Sequence, residues 1–358
     1  MTGPGDASIA TRRLRSNRLV GPRFGSAADV VRWFGAMQAQ EYGPATWAIG
    51  LRAGVVTAVD VDAMFDAGAI LRTHVMRPTW HFVLPEDLRW LLDLTGPRVH
   101  AANAPYYRKL GLDPATLAQG HAAFRGALEG GNSLTRRELA TALAAAGIQA
   151  DGPRLAYLVM HAELEALICS GPRRGRQFTY ALVDERVPPA RVLDRDEALA
   201  EIARRYVTAR GPAQAHDLAW WSGLTVGDSR RALELAAGLE VERLRGKEFW
   251  SAPAAGVASF ERPLVHLLPV YDEYFIGFRD RSDVFDADRL GPNATGALLA
   301  NIVALDGLVV GGWRSAIGRR QVAVTTDLLV PLAPDERRAL ESAAAEFGRF
   351  LGLPVVLD

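Results

Sequence analysis

Apolar positions along the chain alternate between helical spacing and strand-like alternation, in the same order more than once. The clearest stretch begins at Thr135. Thr135-Arg-Arg-Glu138 forms a capping box, and Leu139, Leu143 and Ala146 follow at helical spacing until Gly147. Asp151-Gly-Pro then leads into a second predicted helix from about Arg154, with Leu155, Leu158, Val159 and Ala162 on one stripe. After Leu167 the period changes. LICSG, the basic turn PRRGR and QFTYALV read as two strands of a hairpin. Helix, turn, helix and basic hairpin is the order of a winged helix.

The order recurs downstream, which weighs more than any single match. A predicted helix over Ala198 to Arg210 stops at Gly211-Pro212, a short helix over Gln214 to Ser222 is broken by Gly223, and a third spans Asp228 to Ala237. LEVERL, a turn at RGKE and FWSAP complete the unit, with Trp220 and Trp221 expected as its core and wall rather than as a base-stacking platform. The first hundred residues read as a third copy. Helices over Arg12 to Leu19 and Ser26 to Gln38 precede a wing-like VMRPTWHFVLP, with Val30, Trp33, Phe34 and Met37 as the buried face of the second helix. From Leu264 onward, LVHLLPVYDEYFIGF, IVALDGLVVGGW and RRQVAVTTDLLVP predict short strands, closed by a helix at Asp335 to Phe350. The expected fold is α+β: three tandem winged-helix units over residues 1–110, 111–190 and 191–255, then a β-rich C-terminal domain over 256–358. Pro188-Pro189 and Pro253-Ala-Ala-Gly256 are the best boundaries.

Composition narrows the function. In 358 residues, 49% hydrophobic and 23% charged positions exclude disorder and coiled coil. No uncharged apolar run reaches about 18 residues and no signal-peptide pattern opens the chain, so a cytoplasmic protein without membrane contact is expected. Cys169 stands alone, which excludes an internal disulfide and a Cys-rich zinc site. Forty-one basic residues balance forty-one acidic ones, yet only Lys109 and Lys247 are lysine. Arginine forks onto phosphates, and three arginine clusters lack an internal acid: Arg12 to Arg18, Arg173 to Arg176 and Arg314 to Arg320. Signatures for dinucleotide, P-loop, nucleophile-elbow, zincin and zinc-deaminase chemistry are all absent. The histidines at 74, 81, 100, 121, 161, 216 and 266 show no metal-ligand spacing, so neither metal nor cofactor is expected.

Four motifs in order carry a family resemblance: Met37-Gln38-Ala39-Gln40, Arg77-Pro-Thr-Trp-His81, LLPVYDEYFIGFRDR over 267 to 281, and Gly307-Leu-Val-Val-Gly-Gly-Trp-Arg314. Together they resemble the winged-helix DNA glycosylases of the AlkZ type, over nearly the whole chain. The Q-x-Q form is similar to the branch that includes azinomycin self-resistance enzymes, which remove bulky or crosslinking alkyl lesions. The resemblance implies a C-shaped arrangement around a basic DNA channel, with Gln38 and Gln40 at the catalytic centre.

A glutamine pair suffices chemically for one substrate class. An N7-alkylguanine is already cationic, so the base leaves without a general acid, and the protein must stabilise an oxocarbenium-like sugar and place a water. Two residues apart on a helix diverge by roughly 200°, so the helix is expected to end near the pair, helped by Gly43-Pro44. With two lysines to serve as Schiff-base nucleophile, a monofunctional glycosylase that leaves an abasic site is expected. Arg314, Arg319 and Arg320 on a hairpin around Gly318 best suit DNA contact, followed by Arg173, Arg174 and Arg176 as a wing. Trp80 and His81 are expected to wall the site, and Asp272, Asp280 and Arg281 to form structural salt bridges. The expected partner is alkylated double-stranded DNA, bound by a monomer. The competing reading is a non-catalytic winged-helix regulator, which would have no use for the glutamines.

Overall fold

Twice along the chain the order helix, strand, helix, helix, two-stranded hairpin appears, and a third unit repeats it with an isolated bridge in place of the first strand. The computed structural model describes residues 8–190, 192–253, 260–286 and 301–358. After α1 (Ile9–Ser16), the first unit comprises α2 (Ala27–Phe34), β1 (Met37–Gln38), α3 (Tyr42–Gly50), α4 (Ala58–Asp66), β2 (Leu71–Val75) and β3 (Arg77–Val83). The long α5 (Pro85–Lys109) leads to α6 (Pro114–Leu128), β4 (Leu134–Thr135), α7 (Arg136–Ala145), α8 (Gly152–Leu164), β5 (Ile168–Ser170) and β6 (Thr179–Leu182), followed by the single turn α9 (Val183–Arg186). The third unit has α10 (Arg195–Arg210), α11 (Ala215–Ser222), α12 (Val226–Leu235), β7 (Glu240–Leu244) and β8 (Lys247–Ser251). In the first two units the strand order is equivalent, β1-β3-β2 and β4-β6-β5. A bridge from Ala213 to Trp250 takes the place of the first strand in the third.

The C-terminal part is a single five-stranded sheet, and the chain as a whole is of mixed α+β class. Its elements are β9 (Val265–Leu268), α13 (Glu273–Ile276), β10 (Asn301–Leu305), β11 (Leu308–Ile317), β12 (Val322–Leu328), α14 (Pro334–Leu351) and β13 (Val355–Leu357), with strand order β13-β12-β11-β10-β9. The predicted capping box is present: Thr135 accepts from Glu138 N–H while Glu138 reaches back to Thr135. Two predictions fail. The strand expected through LVHLLPVYDEYFIGF stops at Leu268, and Glu273–Ile276 form the helical turn α13 instead. The helix expected over Ser26 to Gln38 ends at Phe34, because Gly35 adopts φ +72° and closes it, so Met37 and Gln38 lie in a strand. Of the proposed boundaries, residues 254–256 lie outside the described residues.

Apolar packing crosses the boundaries drawn from sequence. One core unites Val31, Phe34 and Trp47 of the first unit with Leu267, Val303 and Phe347 of the C-terminal sheet and its helix. The Trp47 ring packs edge-on to Phe347 at 5.0 Å and donates its indole N–H to Leu267 O at 2.8 Å. A second core joins Leu91 and Leu94 of α5 to Leu199, Ile202 and Trp221 of the third unit, and α6, α7 and α8 close a third core around Phe124, Leu139 and Leu158. The sheet and the first unit are also joined electrically, since buried Arg52 holds Asp272 through two bonds of 2.8 Å. Removing one partner of such a pair leaves an uncompensated buried charge, typically costing about 3–5 kcal/mol. Asp272→Asn should therefore lower the unfolding free energy of the full chain, read from a urea titration, by that order. The paired change Arg52→Met with Asp272→Leu should cost less, and equal losses for the two would contradict this account.

Candidate active site

Gly35 ends α2, the chain turns, and the next residues run extended against β3, with Met37 opposite Phe82 and Gln38 opposite His81. α2 therefore ends before the pair, so the roughly 200° divergence of a helix does not apply: Gln38 closes the strand and Gln40 lies at the bend just beyond it. The ladder continues for one more bond, Ala39 N–H to Trp80 O at 2.7 Å. The return bond is not backbone to backbone: Trp80 N–H donates to Gln40 Oε1 at 3.3 Å, while Arg72 takes Ala39 O at 2.8 Å and Gln40 O at 3.1 Å. The Gln40 side chain thus caps the end of the sheet.

Gln38 is held at both ends. Its backbone N–H donates to Glu273 Oε1 at 2.7 Å, and its side-chain Oε1 accepts from Arg77 Nη2 at 2.7 Å. Guanidinium and backbone N–H groups only donate, so the partners identify the oxygen of each carboxamide and leave both NH2 groups available for another acceptor. Glu273 is itself fixed by Arg210, at 2.6 and 2.9 Å, and by the Trp221 indole at 3.1 Å. Arg210 also donates to Phe34 O and Ala36 O, the carbonyls that bracket the end of α2. Gly223 caps α11 at φ +74°, where a Cβ would stand 2.4 Å from Met76 O, so the third unit sits directly on the turn before Arg77.

Next to Gln40 opens a cavity of about 140 Å³, lined by Gln40, His74, Trp80, Arg136, Met160 and Tyr180 among others. Trp80 forms part of its wall, with the His74 ring 4.4 Å away and the Arg72 guanidinium 4.5 Å over its face. His74 Nδ1 lies 2.5 Å from Glu163 Oε2, a buried carboxylate that also accepts from Thr73. His81 is fully buried. Its Nδ1 donates to Thr79 O at 2.9 Å, and Nε2 has no hydrogen-bond partner. Burial first, and the Arg77 cation second, push its pKa well down, so its ring is neutral and cannot act as a general acid near pH 7. Arg77 and Arg72 are likewise driven down by burial.

The other predicted residues divide. Arg314, Arg319 and Arg320 are all exposed on the β11–β12 hairpin, whose turn closes through Gly318 N–H to Gln321 O. None of the three has an ion pair among the described residues. The 173–176 cluster is different. Arg173 is clamped by Asp66 and Asp62 at 2.8–3.0 Å, and Arg174 by Glu138 at 2.8–2.9 Å. Those carboxylates lie far away in sequence, so a cluster without internal acids is neutralised from outside and only Arg176 stands exposed with no ion pair described. Asp272 and Asp280 do make salt bridges, to Arg52 and to Lys247 at 2.6 Å, whereas Arg281 donates to Phe275 O. Sequence reasoning missed Glu273, Arg210, His74 and Glu163. The signal for Glu273 was present: two adjacent acids inside the apolar LLPVYDEYFIGF require buried partners.

Comparison with known proteins gives the family. A model of the family described as DNA glycosylase AlkZ-like matches residues 31–350. A Streptomyces sahachiroi protein named an interstrand DNA cross-link repair glycosylase is 25% identical over 356 residues, covering 92% of this chain and 91% of the relative. The solved structure of Streptomyces sahachiroi DNA glycosylase AlkZ aligns with a TM-score of 0.78 at 23% identity, covering 98% of each chain. With its family match running from the Q-x-Q strand to the closing helix, the chain belongs to the AlkZ-like DNA glycosylases.

Proposed function

We propose that this glycosylase hydrolyses the N-glycosidic bond of bulky or crosslinked N7-alkylguanine in double-stranded DNA, acting as a monomer and leaving an abasic site. The observation that carries the reading is Gln38 at the end of a short strand and Gln40 just beyond it, each carboxamide oxygen held by an N–H donor, with Gln40 lining a cavity. In this reading the three repeated units are winged helices curved around a basic channel, in the cytoplasm and on the nucleoid. Among the described residues no helix is long and apolar enough to cross a membrane.

Chemistry follows from what each group can offer. The cationic base departs without protonation, so the work lies in holding the electron-poor sugar and the incoming water. The carboxamide of Gln40 meets the cavity and binds that water, and Gln38, braced by Arg77, supplies the second polar contact. Glutamine cannot retain the proton that water releases. His74 lines the same cavity with Glu163 on its Nδ1, and it serves as the acceptor. A Schiff-base route has little to draw on: Lys109 stands exposed at the end of α5, and pairing with Asp280 raises the Lys247 pKa, which keeps its amine protonated.

The test is incubation with an N7-alkylguanine duplex followed by alkali. Strand breaks should appear only after alkali, and breaks without it would overturn the monofunctional reading. Gln38→Ala and Gln40→Ala should each slow base release by about 2.7–4 kcal/mol of barrier while leaving duplex affinity nearly unchanged, because phosphates dominate binding. Arg77→Met, which frees the Gln38 carboxamide, should slow release in the same direction but less. Equal rates for wild type and the double alanine variant would favour the regulator.

Binding is tested separately on the hairpin. Replacing Arg314, Arg319 and Arg320 with alanine should flatten the slope of log affinity against log salt by roughly 0.9 for every phosphate that is no longer neutralised. Coincident slopes would show that this hairpin does not face DNA.

A further inference from the structure

Outside the glutamine site, three helices bring together side chains that are far apart in sequence. His100 comes from the middle of α5, His121 from α6, His161 from the last turn of α8, and Glu165 from one turn beyond it. His161 and Glu165 are four residues apart, the spacing that puts two ligands on one helical face. One donor atom each from His100, His161 and Glu165 lies within 4.8 Å of the other two. His121 Nε2 is 3.1 Å from His161 Nδ1, and the His161 ring lies 4.5 Å from that of His100 and 5.0 Å from that of His121.

Two features separate this cluster from an ordinary hydrogen-bond network. His100 Nε2 is 3.1 Å from Glu165 Oε1, yet it makes no hydrogen bond, so the two atoms are close without being aimed at each other. That is the relation between neighbouring ligands of a common ion: with zinc–ligand bonds of about 2.0–2.1 Å, a tetrahedral edge is about 3.3 Å. The second feature is the lone-pair inventory. His100 Nδ1 faces the Tyr107 hydroxyl at 2.9 Å, and donating its proton there leaves Nε2 as a bare lone pair beside Glu165.

We propose that His100, His161 and Glu165 form a binding site for one divalent transition-metal ion of the zinc class, with His121 positioning His161 and the remaining coordination open to water. The Glu165 side chain is half exposed, which gives the ion a path in. Such an ion would clasp α5 to α8. Glu163, between His161 and Glu165 in sequence, belongs to the opposite side of α8 and holds His74 at the glutamine cavity, so the clasp braces the helix that supplies this carboxylate. It takes no part in base release, and the inference stands whether or not the substrate reading does.

The experiment uses the full-length chain, freed of any affinity tag and stripped of metal, titrated with Co2+ and then Zn2+. Wild type should bind one Co2+ per chain with visible d–d absorption that one equivalent of Zn2+ abolishes, and Zn2+ should raise Tm. Glu165→Gln, at a half-exposed position, and His100→Gln should each weaken binding at least tenfold. Base release from an alkylated duplex should be the same for wild type and Glu165→Gln, which keeps this test apart from that of the glycosylase reaction. Absence of Co2+ absorption and of a Zn2+-dependent Tm in wild type, or wild-type affinity in both variants, would overturn the proposal and leave a network of histidines.

Discussion

The buried pair of Arg210 and Glu273 fixes the geometry on which the candidate site depends. Both are almost entirely out of water, and an arginine there must satisfy its N–H groups or destabilise the fold. Two of its nitrogens meet Glu273, and its remaining bonds go to Phe34 O and Ala36 O. Its flat face lies 4.2 Å from the Trp221 ring and 4.9 Å from that of Phe34. The second Glu273 oxygen takes the Gln38 N–H. One ion pair therefore ends a helix, starts a strand and sets the height at which Gln38 leaves the backbone.

The three participants come from different parts of the chain. Gln38 belongs to the first unit, Arg210 ends α10 of the third, and Glu273 opens α13 within the C-terminal part. None of these parts alone can present Gln38 in this conformation, because a carboxylate without its arginine, or an arginine without its carbonyls, would be a buried unpaired charge. Arg52 and Asp272 repeat the device one residue earlier in the same acidic pair, so Asp272-Glu273 tie the C-terminal part to the first and third units at once. The site is thus assembled by tertiary electrostatics, and the small two-residue strand that carries it needs little stability of its own.

Much of this was legible in sequence where the determinants are local. Thr135 and Glu138 specify their own helix start, the alternation around Gly318 specifies a hairpin, and helix–turn–helix–hairpin order recurs at a scale that local spacing can detect. Gly35 was also readable as a helix stop, and giving it that weight would have moved Gln38 from helix to strand. The remainder could not be read, because it depends on pairing at long range. Arg173 and Arg174 look free of acids within their own cluster, but Asp62, Asp66 and Glu138 reach them through the fold. His100, His121 and His161 are spaced by roughly twenty and forty residues, and only the packing of α5, α6 and α8 brings them into contact.

Charge balance gives the same lesson about partners. Equal numbers of acidic and basic residues offer no net attraction to a polyanion, and many of the arginines are consumed internally, in pairs such as Arg52 with Asp272, Arg205 with Asp87 and Arg231 with Asp196. What a phosphate backbone can use is the remainder left unpaired. A neutral chain can bind DNA strongly if its acids are spent on buried or intramolecular partners while a few arginines project from the surface. The β11–β12 hairpin fits that condition: after Trp313 enters the core, Arg314 through Arg320 are exposed without interruption, and no described carboxylate answers their charge. The arginines that stabilise the fold and those left unpaired at the surface are thus distinguished by where the acids sit, which total charge cannot reveal.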